Sequence, residues 1–172
     1  MKRSLQCQSV PTSSKPTARQ AGLLPALADH IRTHGIASAS LRPLARSAGT
    51  SDRMLIYHFG SKTGVIEAAL AWIARKNRER LAGLLPSNSV STDTIIASLE
   101  PELESRDHRL DASVLFELAA LALREDAAAK AIGHDILSGY LDWLTGLTGS
   151  REDARQVLRR IEGDTVLAAF GL

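Results

Sequence analysis

The sequence predicts an all-α protein on three observations. Fifty of its 76 apolar residues are Ala or Leu, against 26 Val, Ile and Thr in all 172 residues. Ala and Leu lose least on entering a helix, whereas β-branched residues favour strands, so a β-sandwich or barrel is excluded. Apolar residues also recur at three- and four-residue spacing from Leu24 almost to the end. Finally, Ser, Thr and Gly stand where those periodic segments must start and stop.

The elements follow in order. Residues 1–16 are rich in Ser, Thr, Gln and Pro and contain no acid, so they are expected to form a flexible basic arm. The lone Cys7 inside it has no partner for an internal disulfide, which fits a reducing compartment. A first helix spans Thr17 to Gly35 with Leu24, Leu27, Ala28 and Ile31 on one face. Pro25 either starts this helix or bends it. Ser40 caps a short helix over 41–47, Ser51 caps another over 52–59, and Ala48-Gly49-Thr50 turns between them. Gly60 stops the third helix, and Ser61 caps a long one from Lys62 to about Leu85. Pro86 and the segment SNSVST close it, after which Thr92 caps a helix that Pro101 interrupts. Leu110, Val114, Leu118 and Leu121 mark a further helix, and Ile132 to Leu147 another. Gly149-Ser150 then precede a last helix from Arg151 to about Phe170.

Charge divides the chain. Residues 1–64 hold nine Lys/Arg against two Asp/Glu, a net +7, while residues 65–172 hold twelve against seventeen, a net −5. A basic module facing a polyanion, joined to one that does not, fits this division. No run of about 18 apolar residues and no signal-peptide core occur, so a cytoplasmic protein without a membrane span is expected.

The informative stretch is 35–62, GIASASLRPLARSAGTSDRMLIYHFGSK. Two short helices around a glycine turn are the pattern of a helix-turn-helix. Leu44, Ala45 and Leu55 must be apolar to lock the two helices together. Ser40 and Ser51 mark helix starts whose free N–H groups suit phosphate oxygens. Asp52, Arg53, Met54, Tyr57 and His58 are left facing outward, free to enter a major groove.

These residues resemble the tetracycline-repressor (TetR) family of bacterial regulators. The matching positions are Gly35, Ile36, Ser40, Leu44-Ala45, Ala48-Gly49-Thr50-Ser51 and Phe59-Gly60-Ser61-Lys62, within a stretch of about a quarter of the chain. The resemblance implies a three-helix DNA-binding domain over 17–63, followed by a helical ligand-binding and dimerisation domain over 64–172. It also implies a sequence-specific regulator, a repressor released by a small effector, acting as a homodimer on a palindromic double-stranded operator. The family's phosphate-contacting Tyr stands three residues before the Phe. Here that position is Ile56, and Tyr57 is rotated about 100° from it. Tyr57 is therefore expected to meet a base edge or sugar, with Ile56 in the core.

Arg42, Thr50, Ser51, Tyr57 and Lys62 are expected to position the DNA backbone, and Arg53, Met54 and His58 to read bases. The dimer face is expected on Ile136, Tyr140, Leu144, Leu158, Ile161, Gly163, Leu167 and Ala168, because GDTVLAAFGL is apolar nearly all round. An apolar effector is expected within 65–147. Trp72 and Phe116 would line its site, with Trp143 a third aromatic candidate and His134 or Asp135 the polar anchor. The chain ends early for the resembled family, which leaves room for a longer C-terminus.

Other clusters carry plainer readings. His30 and His34 have i, i+4 spacing, but no further ligand completes a metal set, so no metal and no cofactor are expected. Glu100, Glu102 and Glu104 read as a solvated acidic face, and Arg75, Lys76, Arg78 and Arg80 as a solvated basic one. The competing class is an all-α enzyme or helical binding protein that resembles the motif by accident. No phosphate-binding glycine loop or nucleophile motif supports it, and no catalytic residue is assigned. A non-specific DNA-coating protein would be basic throughout, unlike residues 65–172.

Overall fold

The computed structural model describes residues 16–85 and 91–172. Their regular structure is eight α-helices: α1 (Ala18–His34), α2 (Leu41–Ser47), α3 (Asp52–Phe59), α4 (Lys62–Ala82), α5 (Thr92–Leu103), α6 (Arg106–Leu123), α7 (Ala127–Thr148) and α8 (Arg151–Ala169). Residues 1–15 of the N-terminal arm, with Cys7, and residues 86–90 lie outside the described residues. None of these helices is long and apolar enough to cross a membrane.

Local chemistry accounts for most boundaries. Thr17 and Gln20 form a reciprocal capping box at the start of α1. The hydroxyls of Ser51, Ser61, Ser105 and Ser150 accept the N–H three residues on. Gly35, Gly60 and Gly149 end their helices at φ of 80°, 80° and 73°, a region closed to most side chains. Three expectations are corrected, and one of the two readings of Pro25 is removed. Ser40 has the extended backbone of a cap, but its side chain makes no cap hydrogen bond. Ser91 rather than Thr92 caps α5. Pro25 lies well inside α1, whose capping box sets its start seven residues earlier. Pro101 falls in the last turns of α5, where losing one N–H leaves the helix to run on to Leu103.

Two apolar cores hold the helices. In the first, Leu27, Ala28 and Ile31 of α1 pack with Leu44, Ala45 and Leu55, with Val65, Ala69 and Leu70 of α4, and with Val114, Leu118 and Ile132. The second joins Leu81 of α4, Ile95 and Leu99 of α5, Leu144 of α7, and Ala154, Val157 and Ile161 of α8. The α4 helix is continuous from its first turn and contributes to both. Polar contacts fasten α6 to the N-terminal unit. Glu117 accepts the N–H groups of Ile36 and Ala37, each at 2.6 Å. Arg32 ion-pairs with both Asp107 and Asp111.

Candidate functional site

Residues 36–62 form a compact unit whose inner face is the first core. Leu44 and Leu55 are fully buried and Ala45 nearly so. Gly49, at φ 61°, reverses the chain between α2 and α3. Gln20 Nε2 donates to the His58 carbonyl at 2.6 Å, tying the start of α1 to α3. With its inner side occupied, α3 turns Asp52, Arg53, Met54 and Tyr57 outward, and Tyr57 is 77% exposed. Ser40, Arg42, Ser51 and Lys62 are also exposed, whereas Thr50 is half-buried.

One assignment on α3 changes. Ile56 was expected in the core, yet it is exposed beside Tyr57, because Leu55 takes the inward position there. His58 is half-buried, with its ring edge-on to that of Tyr57, centroids 5.2 Å apart.

The electrostatics of this surface are one-sided. Among the described residues, Arg42, Arg46, Arg53 and Lys62 are exposed and appear in no ion pair. In residues 65–172, by contrast, eight cations are paired with carboxylates of the same chain. A positive face without internal counter-ions attracts a polyanion. The long-helix cations are not one solvated face as expected. Arg75 and Lys76 pair outward with Glu79. Arg80 turns inward to Glu102 and Asp111, and Arg78 stacks over the Tyr140 ring at 5.5 Å. Glu102 thereby leaves the solvated acidic face too.

Behind this unit, helices α4 to α8 enclose a cavity of about 80 Å³. Its walls are mainly Leu, Ile and Val, with Trp143 and Tyr140 as the aromatic members and Asn77, His108, Asp111 and Glu162 as the polar ones. Of the expected aromatics, Trp143 is here but Trp72 and Phe116 are not. Trp72 lines a separate polar recess with Arg32, Lys76 and Asp107, and Phe116 lines neither. His134 and Asp135 are exposed neighbours that contact each other at 3.4 Å. The wall also extends beyond residue 147 to Leu158, Ile161 and Glu162 of α8.

Two residues of the expected dimer face, Leu144 and Ile161, are buried inside the chain instead. Ile136, Tyr140 and Leu158 are half-buried and line the cavity. The inward faces of α7 and α8 pack against each other and against α4, α5 and α6. Gly163, Leu167 and Ala168 remain on the surface, joined by Val166 and by Phe170, which is 80% exposed.

Arg32, His108, Asp111, Glu117 and Glu162 were missed from the sequence. A signal existed: Glu162 and Thr165 fall at i+4 and i+7 from Leu158, polar residues on an apolar stripe, as do His108 and Asp111 ahead of Leu115 and Leu118.

Residues 23–69 match the family model "Bacterial regulatory proteins, tetR family". The HTH-type transcriptional regulatory protein RaaS of Mycobacterium tuberculosis is 39% identical over 59 residues, 34% of this chain and 27% of that protein. The match thus spans about a quarter of that curated relative. Two solved structures share the fold. A Rhodococcus sp. protein assigned to the TetR-family transcriptional regulators superimposes with a TM-score of 0.68 at 24% identity, covering 87% of this chain and 86% of that one. A transcriptional regulator from Rhodococcus sp. Rha1 gives 0.67 at 22%, covering 88% and 83%.

Proposed function

From the premise that its N-terminal domain belongs to the tetR family of bacterial regulatory proteins, we propose that this chain is a sequence-specific, DNA-binding transcriptional regulator. The observation that carries this reading is the cationic surface of Arg42, Arg46, Arg53 and Lys62 around an outward-facing α3, without internal counter-ions among the described residues. In this reading α3 enters the major groove. Asp52, Arg53, Met54 and His58 meet base edges, while Ser40, Arg42, Thr50, Ser51, Tyr57 and Lys62 orient the phosphate backbone around it.

One such module touches few base pairs, so a homodimer on a palindromic operator is part of the proposal. Its interface is the exposed apolar strip of Gly163, Val166, Leu167, Ala168 and Phe170. Repression in the cytoplasm, relieved by a small effector in the α4–α8 cavity, completes it. The support for coupling is a contact chain from the cavity wall to α1: Tyr140 to Asn77, Asn77 to Asp111, and Asp111 to Arg32. Both sites also share α4. Coupling through such elements is typically worth about 1–3 kcal/mol, or about 5- to 150-fold in affinity.

Selection of bound fragments from random double-stranded DNA, followed by gel shift at moderate salt, tests this. Enrichment of one two-fold-symmetric sequence is expected. Equal binding to all DNA would point to a coating protein, and absence of binding to a helical protein of another class.

A further inference from the structure

The cavity holds two polar groups that the chain leaves unsatisfied, and both are acceptors. Glu162 of α8 lines the cavity, yet its carboxylate appears in no hydrogen bond or ion pair among the described residues. His108 of α6 is 7% exposed and lines the same space. Its tautomer follows from its partner. The single hydroxyl proton of Thr165 goes to the Ile161 carbonyl at 2.7 Å, so Thr165 Oγ1 accepts from His108 Nε2–H at 2.9 Å. Burial, reinforced by Arg80, holds the imidazole below its ordinary range and therefore neutral. Nδ1 is then a bare acceptor, buried and without a partner.

Tyr140, Asn77 and Asp111 are linked to one another and to cations. Tyr140 donates to Asn77 Oδ1 at 2.8 Å, and Asn77 donates to Asp111 Oδ2 at 2.8 Å. Asp111 is held by Arg32 and Arg80, Arg80 also by Glu102, and Arg78 rests on the Tyr140 ring. The nearby cations are thus committed elsewhere, and none neutralises Glu162. A lone carboxylate against apolar walls is costly until a cation or donor meets it. An anionic ligand would add repulsion against Glu162. A neutral alcohol would satisfy one acceptor and leave the charge uncompensated.

We infer that the ligand of this cavity is a hydrophobic amine in its ammonium form, its apolar stem on the Leu and Ile walls and its N–H groups directed to the Glu162 carboxylate. His108 Nδ1 accepts a second donor where the ligand carries one. This rests on the proposed effector site and specifies its chemistry.

The test uses the full chain without DNA and an isosteric series: hexylamine, 1-hexanol and hexanoate, titrated calorimetrically near pH 8. Hexylammonium is expected to bind about tenfold or more tightly than hexanol, with hexanoate weakest. Glu162→Gln should lower hexylammonium affinity about tenfold while leaving hexanol within about twofold, which also reports an intact cavity. Hexanol or hexanoate binding as tightly as the amine to the wild type overturns the inference, and that comparison needs no variant. An unchanged amine affinity in a Glu162→Gln protein that still binds hexanol overturns it too. Operator titration with hexylamine is read separately. Glu162-dependent binding that leaves operator affinity unaltered supports the ligand class and removes the effector role.

Discussion

The guanidinium of Arg32 on α1 lies 2.7 Å from Asp111 of α6, the same carboxylate that receives Asn77 from the cavity wall. A second nitrogen of that guanidinium lies 2.7 Å from Asp107. The first helix of the N-terminal unit is thereby fixed to the helix that lines the cavity, at a site where both Arg32 and Asp111 are largely covered.

Arg32→Ala is expected to lower stability by about 1.5–3 kcal/mol, the range for hydrogen bonds to charged groups. Lysine should restore only part, because it lacks the planar fork that reaches two carboxylates. Urea denaturation of the three proteins measures this. A loss below about 0.5 kcal/mol would show that the pair orients α1 without stabilising it.

On the nucleic-acid face, two substitutions should separate positioning from reading. Lys62→Ala should weaken binding equally on all sequences and reduce the slope of log affinity against log salt by about one. Arg53→Ala should cost about 1–3 kcal/mol and relax preference at one base position. Salt titrations with the selected operator and its single-base variants distinguish the two. An altered preference with an unchanged slope in Lys62→Ala would reverse the assignment.

The exposed strip on α8 makes a prediction about assembly. Leu167 is 50% exposed and is flanked by Val166, at 41%. Leu167→Asp should leave helix content and melting of the monomer fold unchanged while shifting sedimentation from dimer to monomer and weakening operator affinity. Intact protein sedimenting as a monomer at micromolar concentration would exclude the interface.

Burial pushes the Glu162 carboxyl up to about 7, above the value near 4.3 of an exposed Glu. Between those pH values the folded chain binds more protons than the unfolded one. This group's contribution to stability is therefore full below about pH 4 and lost as pH rises through about 7. Glu162→Gln removes that loss. Its melting point should stay close to the wild type's near pH 4 and exceed it at pH 8, by the equivalent of about 3 kcal/mol. A difference that does not change with pH would refute the assignment.

The helix-turn-helix was legible because its determinants are local. Ser51 caps α3 through an atom three residues away, Gly49 and Gly60 supply backbone conformations that other residues resist, and Leu44 and Leu55 repeat at helical spacing. Three consequential assignments were not local. Whether Ile136, Tyr140 and Leu158 faced a partner or a cavity depended on how α7 and α8 rotate against α4 and α6. Trp72 and Phe116 were picked by residue type, but the cavity took Trp143 and Tyr140. Ile56 was displaced to the surface beside Tyr57 once Leu55 claimed the inner face of α3.

From the sequence alone came the all-α class, the positions of the helices to within a few residues, and the basic unit that faces DNA in the proposed function. These rest on propensity, capping and period, which act over one to two turns. Only the tertiary structure decided which side of each C-terminal helix points inward, which cations keep their charge free, and that Glu162 and His108 meet an apolar space unsatisfied. Those outcomes are set by contacts between residues far apart in the chain, such as His108 with Thr165 and Arg32 with Asp111. A helix pattern read along one segment says that a stripe must be covered; it does not say by what.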